Sequence, residues 1–151
     1  MLPLTRDQLE ADAAWLRRLR RPEPRLGAAA SLIASGVTVA IDVSDGLYLD
    51  VGRILGAGLG AVLDGARLPV EPGVRKAYPE AWREVVGGGE DYELVFAGPP
   101  EIMAEACRRV TAGGLEATII GEVDGAPGVR LVGADGAEGP APSSGHKHFR
   151  G

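Results

Sequence analysis

The 151-residue chain has a length typical of one domain, and 45% of its residues are hydrophobic, which is enough to build a core. A formal net charge of −5 argues against a binder of duplex nucleic acid, because such proteins carry a basic surface that neutralises phosphates. The single cysteine, Cys107, excludes an internal disulfide, and no apolar run approaches the roughly 20 residues that span a bilayer, so we expect a soluble, cytoplasmic protein without a membrane partner.

The first third of the chain predicts two helices joined by a proline-rich connector. Apolar residues recur at helical spacing within residues 7–20, and Pro22 ends that helix. The small apolar residues of 26–35 predict a second helix, which Gly36 can end in a left-handed conformation. The sequence VTVAI at residues 37–41 then predicts a buried strand.

The remainder of the chain alternates between short strands and helices. Strands are predicted at residues 60–69, 90–98, 116–123 and 128–133. Helices are predicted at residues 79–86 and from Pro100 to the glycines at 113 and 114. The Gly-, Pro- and Ser-rich tail, residues 134–151, is predicted to be a loop. This order predicts an α+β domain with a mixed sheet.

The stretch VAIDVSDGLYLD, residues 39–50, leads from the predicted strand through a polar turn into an amphipathic helix. A helix N-terminus offers unpaired N–H groups to an anion, and Asp42 and Asp45 can hold a Mg²⁺ that carries a phosphate. The structural alternative, which the spacing alone favours, is that Ser44 or Asp45 caps the helix and Asp42 accepts turn amides. A calcium loop is excluded, because Arg53 occupies the position of its last acidic ligand.

A second motif, VVGGGEDYELVF at residues 85–96, places three glycines before a predicted strand. The glycines allow a close backbone approach or left-handed conformations. Glu90 can bind a cationic or hydrogen-bonding group of a substrate, although composition alone favours a solvent-facing turn carboxylate. In the strand, Tyr92, Leu94 and Phe96 are predicted to form one buried face.

Taken in order, the segments AIDVSDGLYLDVGRILGAGLGAVLDGARLP, GGGEDYELVFAGPP, IIGEV and GHKHF resemble the C-terminal half of the thiamine-monophosphate kinase family. The segment LRRPEPRL resembles the connector between the two halves of that family, and the likeness covers residues 15–149. It implies the fold of the C-terminal domain of aminoimidazole ribonucleotide synthetase and selenophosphate synthetase. Residues 1–25 would form an N-terminal helix and connector, and residues 26–151 the C-terminal domain.

The resemblance implies phosphorylation of thiamine monophosphate to thiamine diphosphate, with ATP as co-substrate and Mg²⁺ as cofactor. It assigns Asp42 and Asp45 to the metal and Ser44 to ATP. It assigns Glu90 to the thiamine part of the substrate, and His146 stands where the family usually has an aromatic residue that stacks on the substrate. An acidic protein can bind two polyanions in this way, because phosphoryl transfer depends on positioning and on metal ions that neutralise charge.

Members of the family are longer, and the N-terminal half that carries most of their ATP site does not precede Met1. We therefore expect an incomplete active site and an exposed apolar surface, with association as a homodimer or with an N-terminal half. One alternative is a non-catalytic binding or dimerisation module that retains the fold. Another is a sister ATP-using synthetase that acts on a different substrate.

Overall fold

A computed structural model describes residues 13–79, 83, 86–133 and 136–142. Its helices and strands confirm the predicted α+β class with a mixed sheet. In chain order, the elements are α1 (Ala13–Arg20), α2 (Leu26–Ala34), β1 (Val39–Asp42), α3 (Leu47–Leu55), β2 (Gly60–Asp64), α4 (Pro72–Ala77), β3 (Leu94–Ala97), α5 (Pro100–Ala112), β4 (Gly121–Asp124), β5 (Gly128–Val132) and β6 (Glu138–Pro140). The predicted substrate residue His146 lies outside the described residues.

The larger sheet has four strands in the order β4-β2-β5-β6, of which β2 and β5 are parallel and the other neighbouring pairs antiparallel. Alternate residues of β2, Ala61 and Leu63, point into the core, as the two-residue period of a strand requires. The helix α3 packs on this sheet through Val51. The resulting core consists of Val43, Tyr48, Val51, Ala61, Leu63, Leu68, Val95 and Leu131.

A second, smaller core lies between α2 and α5. Its buried residues are Ala28, Leu32, Ala106 and Val110. The strand β3 belongs to both cores, because Val95 packs in the first and Leu94 and Phe96 pack against the second.

The prediction that Tyr92, Leu94 and Phe96 form a single buried face is therefore wrong at Tyr92. The strand begins only at Leu94, and Tyr92 is 42% exposed. The φ angles of Glu90 and Tyr92 are +67° and +52°, so the chain before β3 is not extended. The alternating sequence pattern therefore includes Tyr92, whose backbone is not in a strand conformation.

The strand β1 pairs with β3 in a two-stranded antiparallel sheet, with Asp42 opposite Leu94. The prediction of a buried strand here is wrong, because three of the four residues of β1 are exposed. Within the described part of the chain, β3 is the only strand that pairs with β1. One edge of β1 is consequently left without a neighbouring strand among those residues.

The prediction of α2 is confirmed, and Gly36 follows it with a φ of +85°. The helix α4 was not predicted, although Glu71 before Pro72 is a recognisable start, and its side chain accepts the N–H of Val74. The strand β6 contradicts the prediction of a continuous loop in the tail, since it pairs with β5. Among the described residues, no helix has the length and hydrophobicity needed to cross a membrane.

Candidate functional site

The two polar motifs meet through their backbones. The N–H of Glu90 donates to the carbonyl oxygen of Ser44 at 2.9 Å, and the N–H of Tyr92 donates to that of Val43 at 2.8 Å. The N–H of Val43 in turn donates to the carbonyl of Glu93 at 2.8 Å. The pairing of β1 with β3 thus continues beyond the strands and holds Glu90 beside Ser44.

Two glycines permit this close approach. A Cβ atom on Gly46 would lie 2.2 Å from the carbonyl oxygen of Gly87, and one on Gly89 would lie 2.7 Å from that of Ser44. Both separations are shorter than a carbon–oxygen contact allows, and both glycines also have positive φ angles. The prediction that the glycine motif allows a close backbone approach or a left-handed conformation is confirmed at Gly89, which shows both.

A buried carboxylate shapes the turn 44–46. Asp50 is fully buried, and its Oδ2 accepts the N–H groups of Ser44 at 3.0 Å, Asp45 at 3.0 Å and Gly46 at 3.2 Å. The predicted cap is therefore wrong, because the N-cap of α3 is Gly46, which has no side chain. Asp50, a residue of the first helical turn, instead accepts the amides of the turn that precedes the helix. The amides of Ser44, Asp45 and Gly46 already have an acceptor in Asp50 and are not open to an external anion.

Arg53 joins Asp50 to Asp45. Its Nη1 lies 2.7 Å from Oδ1 of Asp50 and 2.5 Å from Oδ2 of Asp45. These hydrogen bonds, first that to Asp45 and then that to Asp50, raise the pKa of the Arg53 guanidinium. Sequence reasoning missed both roles, although a carboxylate in the first turn and an arginine three residues later form a common helical pair.

The remaining predicted site residues differ in their exposure. Asp42 is exposed at the end of β1, and Glu90 is exposed beside the turn, while Ser44 is half-buried. An apolar groove begins at Asp42 and runs between β1 and α2, where Leu32 and Ile41 line it. The structure thus brings Ser44, Asp45 and Glu90 together around one turn and places Asp42 at the adjoining strand end.

Asp91, the neighbour of Glu90, has a carboxyl group with a raised pKa. Desolvation by the surrounding protein atoms raises the pKa of Asp91 to about 6, and the negative charge of Glu93 adds to this effect. The residue as a whole nevertheless remains accessible to solvent. Its carboxyl group therefore changes charge within a pH range close to neutrality.

The donor set at the turn is compatible with Mg²⁺ but does not by itself complete a site. In residues 13–79, 83, 86–133 and 136–142, no three His, Cys, Asp or Glu side chains are grouped to hold a metal ion. Asp42 and Asp45 offer the oxygen donors that Mg²⁺ prefers, and this ion commonly takes one or two carboxylates together with water and substrate phosphates. Arg53 competes for one of these carboxylates.

The four-stranded mixed sheet, the second core and the strand–turn–helix site define an α+β domain. Residues 4–134 match the model of AIR synthase related protein, C-terminal domain, and the chain belongs to this family.

Within that family the chain is similar to thiamine-monophosphate kinases. It is 35% identical to the Haemophilus influenzae enzyme over 126 residues, which are 80% of this chain and 38% of the relative. The structure of the Stenotrophomonas maltophilia K279a kinase has a TM-score of 0.72 and 31% identity, over 89% of this chain and 42% of the other. The structure of AaThiL complexed with AMPPCP and TMP has a TM-score of 0.68 and 26% identity, over 90% of this chain and 41% of the other. The chain thus spans less than half the length of each of these relatives.

Proposed function

We propose that this chain forms the C-terminal part of an ATP- and Mg²⁺-dependent kinase that converts thiamine monophosphate to thiamine diphosphate. The observation that carries the proposal is the hydrogen bond between Glu90 and Ser44, which joins the two motifs at one site. A similar structure that contains AMPPCP, an ATP analogue, and TMP supports ATP and thiamine monophosphate as the substrates.

We assign Asp42 and Asp45 to Mg²⁺ and Ser44 to the nucleotide. A Mg²⁺ ion bound there would neutralise phosphate charge in a chain whose own net charge is −5. Glu90 is assigned to the thiamine part of the substrate, because an exposed carboxylate attracts a cationic ring. His146 is assigned to stacking on the substrate and remains a prediction, as does the division into residues 1–25 and 26–151.

The exposed apolar residues of α2 and β1 support association with a second domain. Leu26 and Ile33 are 75% and 76% exposed, and Val39 is 36% exposed. Exposed apolar surface of this kind commonly marks a protein interface. We propose that an N-terminal half or a second copy covers it, that the isolated chain has an incomplete active site, and that the protein is cytoplasmic.

The same surface favours a second candidate function, a binding or dimerisation module without catalytic activity. The two functions differ in their dependence on the carboxylates. Asp42→Asn and Asp45→Asn are expected to abolish metal-dependent nucleotide binding by a kinase domain. A binding module would keep its partner after either substitution.

The decisive assay is the formation of thiamine diphosphate from thiamine monophosphate, ATP and Mg²⁺. We expect no product from the chain alone and measurable product after addition of the N-terminal half of the Haemophilus influenzae relative. Asp42→Asn should abolish this product, whereas Asp124→Asn, the same substitution on β4, should retain it. Absence of product from folded protein in both mixtures, together with intact self-association, would favour the binding module.

A further inference from the structure

Asp50 is exceptional among the residues that the structure describes, because it is their only buried charged side chain. Burial of a carboxylate costs several kcal/mol unless charged and hydrogen-bonding partners compensate the loss of water. Both of its oxygens have such partners, three amides at Oδ2 and Arg53 at Oδ1. The site therefore contains a buried ion whose contacts are concentrated on one turn.

A helix cap alone does not require this arrangement. A serine or threonine at the N-cap position accepts an amide of the first helical turn without burying a charge, whereas the amides that Asp50 binds precede the helix. Asp50 instead binds three consecutive amides, so the orientations of the peptide groups of Ser44, Asp45 and Gly46 are all fixed by one oxygen atom. Hydrogen bonds to a charged acceptor are stronger than neutral ones, so three of them are expected to restrict the motion of this turn.

The fixed turn also determines where the neighbouring functional groups lie. The carbonyl of Ser44 accepts the N–H of Glu90, and Gly46 lies against the carbonyl of Gly87. Arg53 extends from Asp50 to the carboxylate of Asp45. One buried carboxylate is thus connected to both motifs.

We propose that Asp50 is a positioning residue, which fixes the turn 44–46 through its amides and thereby the backbone from which the carboxylate of Asp45 extends. Its importance for cation binding rests on the proposed function, since that function assigns Asp45 to the metal. The effect on the turn does not depend on any ligand. The two parts can therefore be tested separately.

The first test is amide hydrogen exchange of the full chain without ligand, followed by NMR. In the unaltered chain, the amides of Ser44, Asp45 and Gly46 should exchange slowly although they lie outside a helix or strand. In Asp50→Asn they should exchange about tenfold faster or more, because a bond to a charged acceptor is replaced by a weaker one.

The matched control is Asp124→Asn, since Asp124 also accepts a backbone amide, that of Ala126, and also pairs with an arginine, Arg130. This control should leave the three turn amides slow. Unchanged exchange of these amides in a folded Asp50→Asn variant would overturn the proposal. If Asp50→Asn does not fold, fast exchange of the three amides in the unaltered chain would still overturn it.

The second test measures Mn²⁺ affinity by electron paramagnetic resonance, with Mn²⁺ as a probe for Mg²⁺. Asp50→Asn should weaken Mn²⁺ binding about tenfold, and Asp124→Asn should not change it. Equal Mn²⁺ affinity in Asp50→Asn and the unaltered chain would overturn the part of the proposal that concerns Asp45. A lack of Mn²⁺ binding by the unaltered chain, with the exchange result as expected, would count against a metal site formed by Asp42 and Asp45 without the N-terminal half and leave the role of Asp50 in the turn intact.

Discussion

The guanidinium of Arg53 and the carboxylate of Asp45 form an ion pair in which Nη1 lies 2.5 Å from Oδ2. Only 18% of the Asp45 side chain is exposed, whereas 51% of the Arg53 side chain is. A cation that binds Asp45 must therefore displace an arginine that can move into solvent while it keeps its contact with Asp50. This competition should weaken cation binding at the turn.

Arg53→Gln should accordingly strengthen the binding of a divalent cation. We expect the dissociation constant for Mn²⁺ to fall about threefold, a modest change because the pair is partly screened by solvent. Isothermal titration calorimetry on the full chain provides the measurement. Arg130→Gln is the matched control, because Arg130 also pairs with two carboxylates, those of Asp124 and Glu138. Equal or weaker Mn²⁺ binding by Arg53→Gln would show that Arg53 does not compete with the cation.

Gly89→Ala should destabilise the protein more than a conformational cost alone explains. Its φ of +84° costs an alanine about 1 kcal/mol, and the new Cβ would also lie 2.7 Å from the carbonyl oxygen of Ser44. We expect a loss of about 2–4 kcal/mol in the free energy of unfolding, measured by urea denaturation.

The control for this prediction is Gly114→Ala. Gly114 has a nearly identical φ of +83°, but no atom lies within 4 Å of the position that a Cβ would take. Its substitution should cost about 1 kcal/mol. Equal losses for the two variants would mean that the contact between the glycine motif and the turn contributes nothing to stability.

Local patterns were sufficient to predict the elements whose residues pack as their spacing suggests. The helices α2 and α5 bury one face each, at Leu32 and at Ala106 and Val110, which is what their apolar spacing predicts. The strand β1 shows the limit of such reasoning. An apolar run indicates that a strand can be buried, but only tertiary structure determines what covers it.

The sequence motifs and the family resemblance named the candidate site residues, but they did not predict the contacts between them. The positions of Ser44, Asp45 and Glu90 followed from two motifs, while the hydrogen bond between those motifs is a tertiary contact without a local signal. Asp50 was missed for a related reason. A carboxylate in the first turn of an amphipathic helix usually faces solvent, and its burial depends on a backbone turn that folds over it.

The ion pair between Arg25 and Glu93 should contribute more to stability than an ordinary surface pair. Two guanidinium nitrogens of Arg25 reach the two carboxylate oxygens of Glu93 at 2.8 and 2.5 Å, and only 14% of the Arg25 side chain is exposed. This bidentate geometry joins the proline-rich connector to the residue before β3. A double-mutant cycle with Arg25→Met and Glu93→Gln should give a coupling free energy of about 1 kcal/mol.

The comparison for that cycle is the pair between Arg67 and Asp64. Its separation is 3.3 Å and both side chains are largely exposed, at 62% and 42%. The corresponding cycle should give about 0.3 kcal/mol, and the coupling should decrease further at high salt. A coupling between Arg25 and Glu93 that is no larger than this would mean that the connector is not held by the pair.

The raised pKa of Asp91 predicts that stability decreases as the pH rises from about 4 to about 6. The ordinary pKa of an aspartate is 3.8, and in the folded chain that of Asp91 is raised to about 6, so between these values the folded state binds more protons than the unfolded state. The contribution of the neutral carboxyl is complete below pH 3.8 and is lost as the pH passes 6. A pKa shift of this size would correspond to about 3 kcal/mol in the free energy of unfolding. Solvent screening of the accessible carboxyl reduces this contribution to about 1 kcal/mol.

Asp91→Asn should therefore be more stable than the unaltered chain at pH 7, by about 1 kcal/mol, because a permanently neutral side chain avoids the cost of the desolvated charge. The two proteins should have similar stabilities at pH 4, where the native carboxyl is also neutral. Urea denaturation at both pH values measures the difference, and an NMR titration of the Asp91 carboxyl carbon locates its midpoint directly. A midpoint near pH 4, or a pH-independent difference between the two proteins, would contradict the assignment of this pH dependence to Asp91.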